Sequence, residues 1–376
     1  MLLRSIILTG AIQGFFLVLL LKAKEKSSPA DRLLILWLII IACQLACYYD
    51  DLSATPFIPG SVQLIGFSLP LLSSPIIYFY ISSLSFNIAF QRKTAGLHLL
   101  AFTLWNFCVL YFNIVQPTNI ALIKEVPQFS SQVPALIKYM LTALLAIVPA
   151  SYIILSLKVL LKYQKLLPQN YSNTDRITLA WLRWIVISLL VLFVILFPLI
   201  RFGVNYSILN YQNLFGVVGV VLTFYLFFIG YFGLRQTTVF SSVPVALQFV
   251  GDLKATYKNS GLTDAAVNKL FQKLIAHMQQ SQPFLNENLN LATLATELNI
   301  TPNQLSQVIN QKSSVNFFNF INQYRVQAVK EKLKDPAYAH YSILGIGYEC
   351  GFRSKASFNK IFKEVEGVTP SEYQKL

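Results

Sequence analysis

Seven apolar stretches, each 17 residues or longer, fill the first 235 positions of this chain and leave it few folds to choose from. They run from Ser5 to Leu21, Leu33 to Tyr49, Val62 to Phe86, Leu97 to Val115, Val133 to Leu157, Leu179 to Ile200 and Ile208 to Leu234. A bilayer core is crossed by about 17–25 apolar residues in a helix. Hydrocarbon offers no partner to backbone N–H and C=O, so each stretch is expected to be helical. Pro70, Pro75, Pro149 and Pro198 lie inside these stretches and are expected to kink them. Composition agrees. Of 376 residues 55% are hydrophobic and 12% charged, with a mean hydropathy of +0.54, where a water-soluble globule carries about 25% charged residues. A disordered chain is excluded by the same figures. Four cysteines, Cys43, Cys47, Cys108 and Cys350, show no pairing pattern and exclude a disulfide-stapled domain.

The charges between the stretches predict orientation. Loops one, three and five carry ten basic residues: Lys22, Lys24, Lys26, Arg32, Arg92, Lys93, Lys158, Lys162, Lys165 and Arg176. The N-terminus and the even loops carry three, Arg4, Lys124 and Arg201. Basic residues stay cytoplasmic, so the N-terminus is expected outside and the C-terminus inside. Seven spans and this bias agree independently. The first stretch is expected to be retained, because Lys22-Ala-Lys-Glu-Lys follows it rather than a small-residue cleavage site.

Few motifs of the apolar half bear chemistry. Gly10 and Gly14 form a GxxxG spacing, which suits pairing of spans between two copies but is common by chance in apolar sequence. Gln13, Gln44, Asn106, Asn113, Gln212 and Asn213 either line a ligand pocket or join helices by hydrogen bonds. The acidic residues before Arg235 lie in loops or at span ends, which argues against ion coupling. Cys43 and Cys47, four apart, lack accompanying ligands. His98, His277 and His340 are widely separated. No P-loop, G-x-S-x-G or H-E-x-x-H occurs. No catalytic residues, cofactor or metal are therefore expected, and the chain is not read as an enzyme.

After Arg235 the composition changes. From Arg235 to Leu376 fifteen Lys and Arg stand with ten Asp and Glu, and the long apolar runs give way to helical periodicity. Gln236 to Ser260 reads as a connector, followed by a helix from Leu262 to Gln280. A short helix from Leu291 to Leu298, with Asn290 as N-cap, turns at Asn299-Ile300. Thr301-Pro302-Asn303-Gln304 is a capping box that starts the next helix. Leu305, Val308 and Ile309 are expected to point inward; Asn303, Gln304, Ser306, Gln307 and Asn310 are expected outside. Amide side chains pair a donor with an acceptor and so match an adenine edge. A long helix from Asn316 to Lys334 leads to a second such pair. Ser342 caps a helix to Glu349, Gly351 supplies a positive φ in the turn, and Ser354 starts a helix to Glu366. Here Arg353, Lys355, Ser357, Asn359, Lys360 and Lys363 are expected outside. Thr369-Pro370-Ser371-Glu372 is a further capping box. The linking helix of about 19 residues is about 28 Å long, and a turn of B-DNA is about 34 Å. Both reading helices can thus reach successive major grooves of one duplex. The bland alternative is a solvated polar face on a small helical domain.

Pro283 to Leu376 resembles the DNA-binding domain of the AraC/XylS transcription regulators. The resemblance rests on Leu294-Ala295, Leu305-Ser306, Phe317-Phe318-Asn319-Phe320-Ile321, Tyr324-Arg325, Ala328, Ile343, Ile346, Gly351-Phe352, Ser357-Phe358, Phe362-Lys363, Gly367 and Thr369-Pro370-Ser371-Glu372-Tyr373. Gly347 departs from it, where that family usually has Ala; with Gly345 it is expected to soften its helix. The resemblance implies sequence-specific DNA binding, with base contacts from both reading helices. The expected DNA-binding residues are Asn303, Gln304, Ser306, Gln307 and Asn310 from the first, and Arg353, Ser354, Lys355, Ser357, Asn359, Lys360 and Lys363 from the second, about half of them touching only phosphate or water. Soluble members of the family sense ligands through a β domain, and the apolar region stands in its place here.

The expected fold class is all-α: a seven-helix transmembrane bundle over 1–235, a juxtamembrane connector over 236–267, and an AraC-type domain with two helix-turn-helix units over 268–376. The expected function is a membrane-bound transcription regulator in the bacterial inner membrane, sensing a signal through its spans and coupling through Leu234 to Gln280. Expected partners are double-stranded promoter DNA and the lipid bilayer. RNA polymerase, a second copy of the chain and a small-molecule or membrane signal are further candidates. The competing readings are a transporter with a DNA-binding regulatory tail and, least supported, a membrane enzyme with a DNA module.

Overall fold

The computed structural model describes residues 2–25, 27–53, 55–86, 92–115, 119–123, 126–175, 177–206, 211–240 and 262–375. Loop residues Lys26, Lys124 and Arg176 and the 241–261 part of the expected connector lie outside them, as do the side chains of Arg92, Lys93, Arg201, Gln212 and Asn213. The described residues are almost wholly helical, and the chain divides into two compact units. One comprises Met1–Leu161 with Ala180–Val245, the other Lys162–Leu179 with Ala246–Leu376. The segment 162–179, which a division at Arg235 leaves with the apolar half, thus packs with the C-terminal unit.

The first unit contains α1 (Leu2–Lys22), α2 (Pro29–Asp51), α3 (Gly60–Ser68), α4 (Pro70–Phe86), α5 (Arg92–Val115), most of α6 (Ala135–Asn170), α7 (Ala180–Tyr206) and α8 (Tyr211–Phe240). Among the described residues, five helical stretches are long and apolar enough to cross a membrane: Leu2–Lys22, Pro29–Asp51, Gly60–Phe86, Gly96–Val115 and Ala135–Asn170. Shorter apolar stretches, Ala180–Ile195 and Gly216–Phe232, lie in α7 and α8. The expected third span is two helices, with α3 ending at Ser68 and α4 starting at Pro70, because proline cannot donate to the preceding turn. An antiparallel hairpin that periodicity did not announce pairs β1 (Ile120–Ile123) with β2 (Val126–Phe129). Asn113 holds it to the end of α5, donating to Ile120 O at 2.9 Å and accepting Ile120 N at 2.9 Å.

Glycine lets α1, α2 and α8 pack closely. A Cβ on Gly10 would collide with Thr223 of α8, and one on Gly14 with Ala42 of α2. Both glycines are buried. The GxxxG spacing therefore serves packing within the chain. One amide of the apolar region joins two helices, Asn106 of α5 donating to Ser68 Oγ of α3 at 3.0 Å, while Gln44 donates to Tyr48 Oη at 2.9 Å within α2. Large apolar side chains such as Phe16, Leu100, Phe107, Ile114, Ile147, Val194 and Phe228 face outward. Water would not tolerate so many; a hydrocarbon surround would.

The second unit adds α9 (Asp264–Ser281), α10 (Leu291–Glu297), α11 (Pro302–Ser313), α12 (Phe317–Lys334), α13 (Ile343–Glu349), α14 (Lys355–Glu366) and α15 (Pro370–Tyr373). Helix α9 starts four residues before the expected boundary at 268, because Thr263 caps it. Lys273 of α9 donates to Leu298 O at 2.7 Å, so this helix belongs with the domain. Two apolar clusters share α12. Leu294, Leu305, Ile309, Phe317, Phe320 and Ile321 form one; Val326, Val329, Ile346, Phe358 and Phe362 form the other. One helix thus serves as the wall of two small cores.

Candidate nucleic-acid interface

Each reading helix is positioned by its own short-range chemistry. Thr301 accepts from Gln304 N, and Gln304 Oε1 accepts from Thr301 N at 3.0 Å, which completes the capping box at the start of α11. Ser354 accepts from Ser357 N at 3.1 Å at the start of α14. The turns before them each hold a left-handed residue, Asn299 at φ 53° and Gly351 at φ 86°. A Cβ on Gly351 would meet the carbonyl oxygens of Phe284 and Leu285 and Arg325 Nε. Gly347 has a packing reason rather than only a propensity cost, since a Cβ there would press on the buried Phe358 ring of α14.

The structure places the expected contact residues unevenly. On α11, Asn303 is exposed, and Gln304 and Asn310 are half-buried. The amide of Asn310 donates to Ser306 O at 2.8 Å. Ser306 and Gln307 are each only 3% exposed, and Gln307 Oε1 has no hydrogen-bond partner among the described residues. Their expected outward placement is corrected. Helical phase decides which way a side chain leaves its axis, not what packs over it. On α14, Lys355, Lys360 and Lys363 are exposed, while Ser357 and Asn359, and Arg353 and Ser354 just before the helix, are half-buried. Arg353 Nε lies 3.9 Å from Glu287 and Lys360 lies 3.8 Å from Glu364, both in partly exposed settings where such pairs contribute little. Three lysines along one helix, open to solvent, suit phosphate contacts.

Beneath both readers lies a residue that sequence reasoning used only as a mark of resemblance. Arg325 of α12 is 1% exposed. Its Nε donates to Phe284 O at 2.8 Å, Nη1 to Ser172 O at 2.9 Å, and Nη2 to Ser172 Oγ at 3.0 Å and Asn286 O at 2.9 Å. Burial pulls its pKa down to about 10, with Glu287 opposing, so it stays charged at neutral pH. One signal was available. Arg325 stands four residues from both Ile321 and Val329, in phase with the buried stripe of α12.

Comparison with known proteins matches this architecture. Residues 294–376 match the family described as a helix-turn-helix domain. An uncharacterized HTH-type transcriptional regulator of Escherichia coli (strain K12), YpdC, is 30% identical over 93 residues, covering 25% of this chain and 30% of that protein. Another, SACOL0084 of Staphylococcus aureus (strain COL), is 28% identical over 134 residues, 35% of this chain and 17% of its own length. A third, YtdP of Bacillus subtilis (strain 168), is 26% identical over 120 residues, 32% of this chain and 14% of its own. The chain thus spans less than a third of the length of these relatives. No solved structure matches. The C-terminal part of this chain is a helix-turn-helix domain of the AraC type.

Proposed function

We propose that this chain is a membrane-bound, sequence-specific transcription regulator of the bacterial inner membrane, with seven spans, the N-terminus outside and the DNA-binding domain in the cytoplasm. The observation that carries the reading is two capped reading helices built on one linker helix, in a chain whose other helices turn apolar faces outward. The first reader supplies amides for base edges and the second supplies lysines for phosphate. The contact set proposed is Asn303, Gln304 and Asn310 with Arg353, Ser354, Lys355, Ser357, Asn359, Lys360 and Lys363; Ser306 and Gln307, buried in this structure, belong to it only by the resemblance. The orientation draws support from Ser172, in the expected fifth loop, bonding to Arg325 of the DNA-binding domain; the two must share one side of the membrane. A signal acting on the spans would act by preferring one of two states of the tethered domain. The reading involves no chemical step.

The test is selection from a random duplex library by the full chain in lipid nanodiscs. Enrichment of one sequence, with affinity falling steeply as salt rises, is expected. Equal recovery of all sequences would sink the reading.

A further inference from the structure

The segment 162–179 belongs to the second unit, yet both its ends continue into apolar helices: α6 runs unbroken to Asn170 and α7 starts at Ala180. It is folded on itself. Tyr163 Oη donates to Ile177 O at 2.8 Å, and Gln164 Nε2 to Thr178 O at 2.8 Å. Its centre enters the DNA-binding domain. Tyr171 forms an antiparallel bridge with Asn290, and Ser172 donates to Leu289 O through both N, at 3.3 Å, and Oγ, at 2.6 Å. Ser172 O accepts from Arg325 Nη1 and from Asn322 Nδ2, and Ser172, Asn322 and Arg325 are each 1% exposed. Three residues on, Asp175 Oδ2 accepts from Ser354 Oγ at 2.6 Å. Ser354 is the N-cap of the lysine-bearing reader. The start of a reading helix is where a phosphate oxygen docks on DNA binding. A carboxylate and a phosphate repel each other there and cannot share the hydroxyl.

We propose that 162–179 is a strap which restrains the DNA-binding domain. Ser172 is its fixed anchor, buried against the linker helix. Asp175 is its releasable tip, exposed and held by a surface hydrogen bond. DNA and Asp175 compete for the start of α14, so the strapped state is the weaker DNA binder. A displacement of α6 or α7 reaches the reading helix through eighteen residues that both helices share as a connection. This is a route separate from the covalent link after α8. The inference rests on the DNA-binding reading above.

The experiment uses the full chain in nanodiscs, with the duplex that the wild-type chain enriches and a scrambled duplex of equal length. Asp175→Ala is expected to tighten binding to the enriched duplex by about five-fold or more. Asp264→Ala, which removes an equal charge from the exposed first turn of α9, is expected to change it by less than about two-fold, as a distant screened charge should. Amide hydrogen exchange over 171–178 is expected to rise when DNA binds. Unchanged or weaker binding by Asp175→Ala, an effect matched by Asp264→Ala, or exchange indifferent to DNA overturns the strap while leaving DNA recognition standing. If the wild-type chain enriches no duplex, the DNA-binding reading fails and the strap with it.

Discussion

The two helix-turn-helix units of the C-terminal domain build one backbone plan from different side chains. In each, a seven-residue helix with a side-chain N-cap, Asn290 or Ser342, ends in a residue of positive φ. In each, the next N–H bonds five residues back: Ile300 N to Ala295 O and Phe352 N to Gly347 O, both at about 3 Å. In each, a capped reader of twelve residues follows. The differences sit where each unit meets its surroundings. Asn299 serves the first turn, while the second admits only Gly351 because carbonyls and Arg325 crowd it. Ala295 packs in the first core; its counterpart Gly347 makes room for Phe358. The first reader is amide-rich with two of its polar side chains buried, and the second is lysine-rich and open. Local hydrogen bonding therefore sets the plan, and neighbours choose the residues that execute it.

The broadest way to break the comparison is to remove what both units share. Arg325→Leu leaves Phe284 O without its side-chain donor and takes one of two donors from each of Ser172 O and Asn286 O. It is expected to destabilise the domain by about 2–3 kcal/mol, read by denaturant-dependent hydrogen exchange of α12; a loss below about 1 kcal/mol, the worth of one ordinary hydrogen bond, would mean the network is dispensable. Gly351→Ala should separate the units. Left-handed strain and the carbonyl clashes together cost about 3 kcal/mol, whereas Asn299→Gly is expected to change stability by less than about 1 kcal/mol. Equal effects would deny that the second turn is the more crowded.

Binding distinguishes the surfaces. Lys355→Ala is expected to weaken all duplexes alike and lower the salt slope by about one. Asn303→Ala is expected to alter base preference at one position, by about 1–3 kcal/mol, with the slope unchanged. Slopes that respond identically would erase the division of labour between the readers. The smallest effects concern the common plan. Thr301→Ala and Ser342→Ala are each expected to cost about 1 kcal/mol in thermal or chemical unfolding, and a cost confined to one unit would show that the caps are not equivalent.

Much of this domain was legible from its residues. The boxes at Thr301 to Gln304 and Thr369 to Glu372, the N-caps Asn290, Ser342 and Ser354, and the positive φ of Gly351 all appear where the spacing predicts them. Such features depend on neighbours three or four residues away, and nothing distant has to be known. The candidate contact set was legible only as helix faces, which is why Ser306 and Gln307 differ from expectation. One partner of Arg325, Ser172, stands 153 residues away and one partner of Ser354, Asp175, stands 179 away, too far for any local pattern. A fragment beginning at Leu262 would lack Ser172 and strip Arg325 of two of its acceptors.

The sequence by itself determined that the front of this chain forms apolar helices suited to lipid and that its end forms two capped readers on a linker. Backbone hydrogen bonding and hydrophobic periodicity act over a turn or two of helix, and both are written in adjacent residues. Only the tertiary structure decided that the Gly10 and Gly14 pair packs inside the chain, that a hairpin follows α5, and that the segment after α6 buries Ser172 against the linker helix. Those outcomes depend on which surfaces meet after the chain has folded back on itself. A buried arginine takes whichever carbonyls are brought to it, because leaving its donors unpaired costs more than any local preference can return.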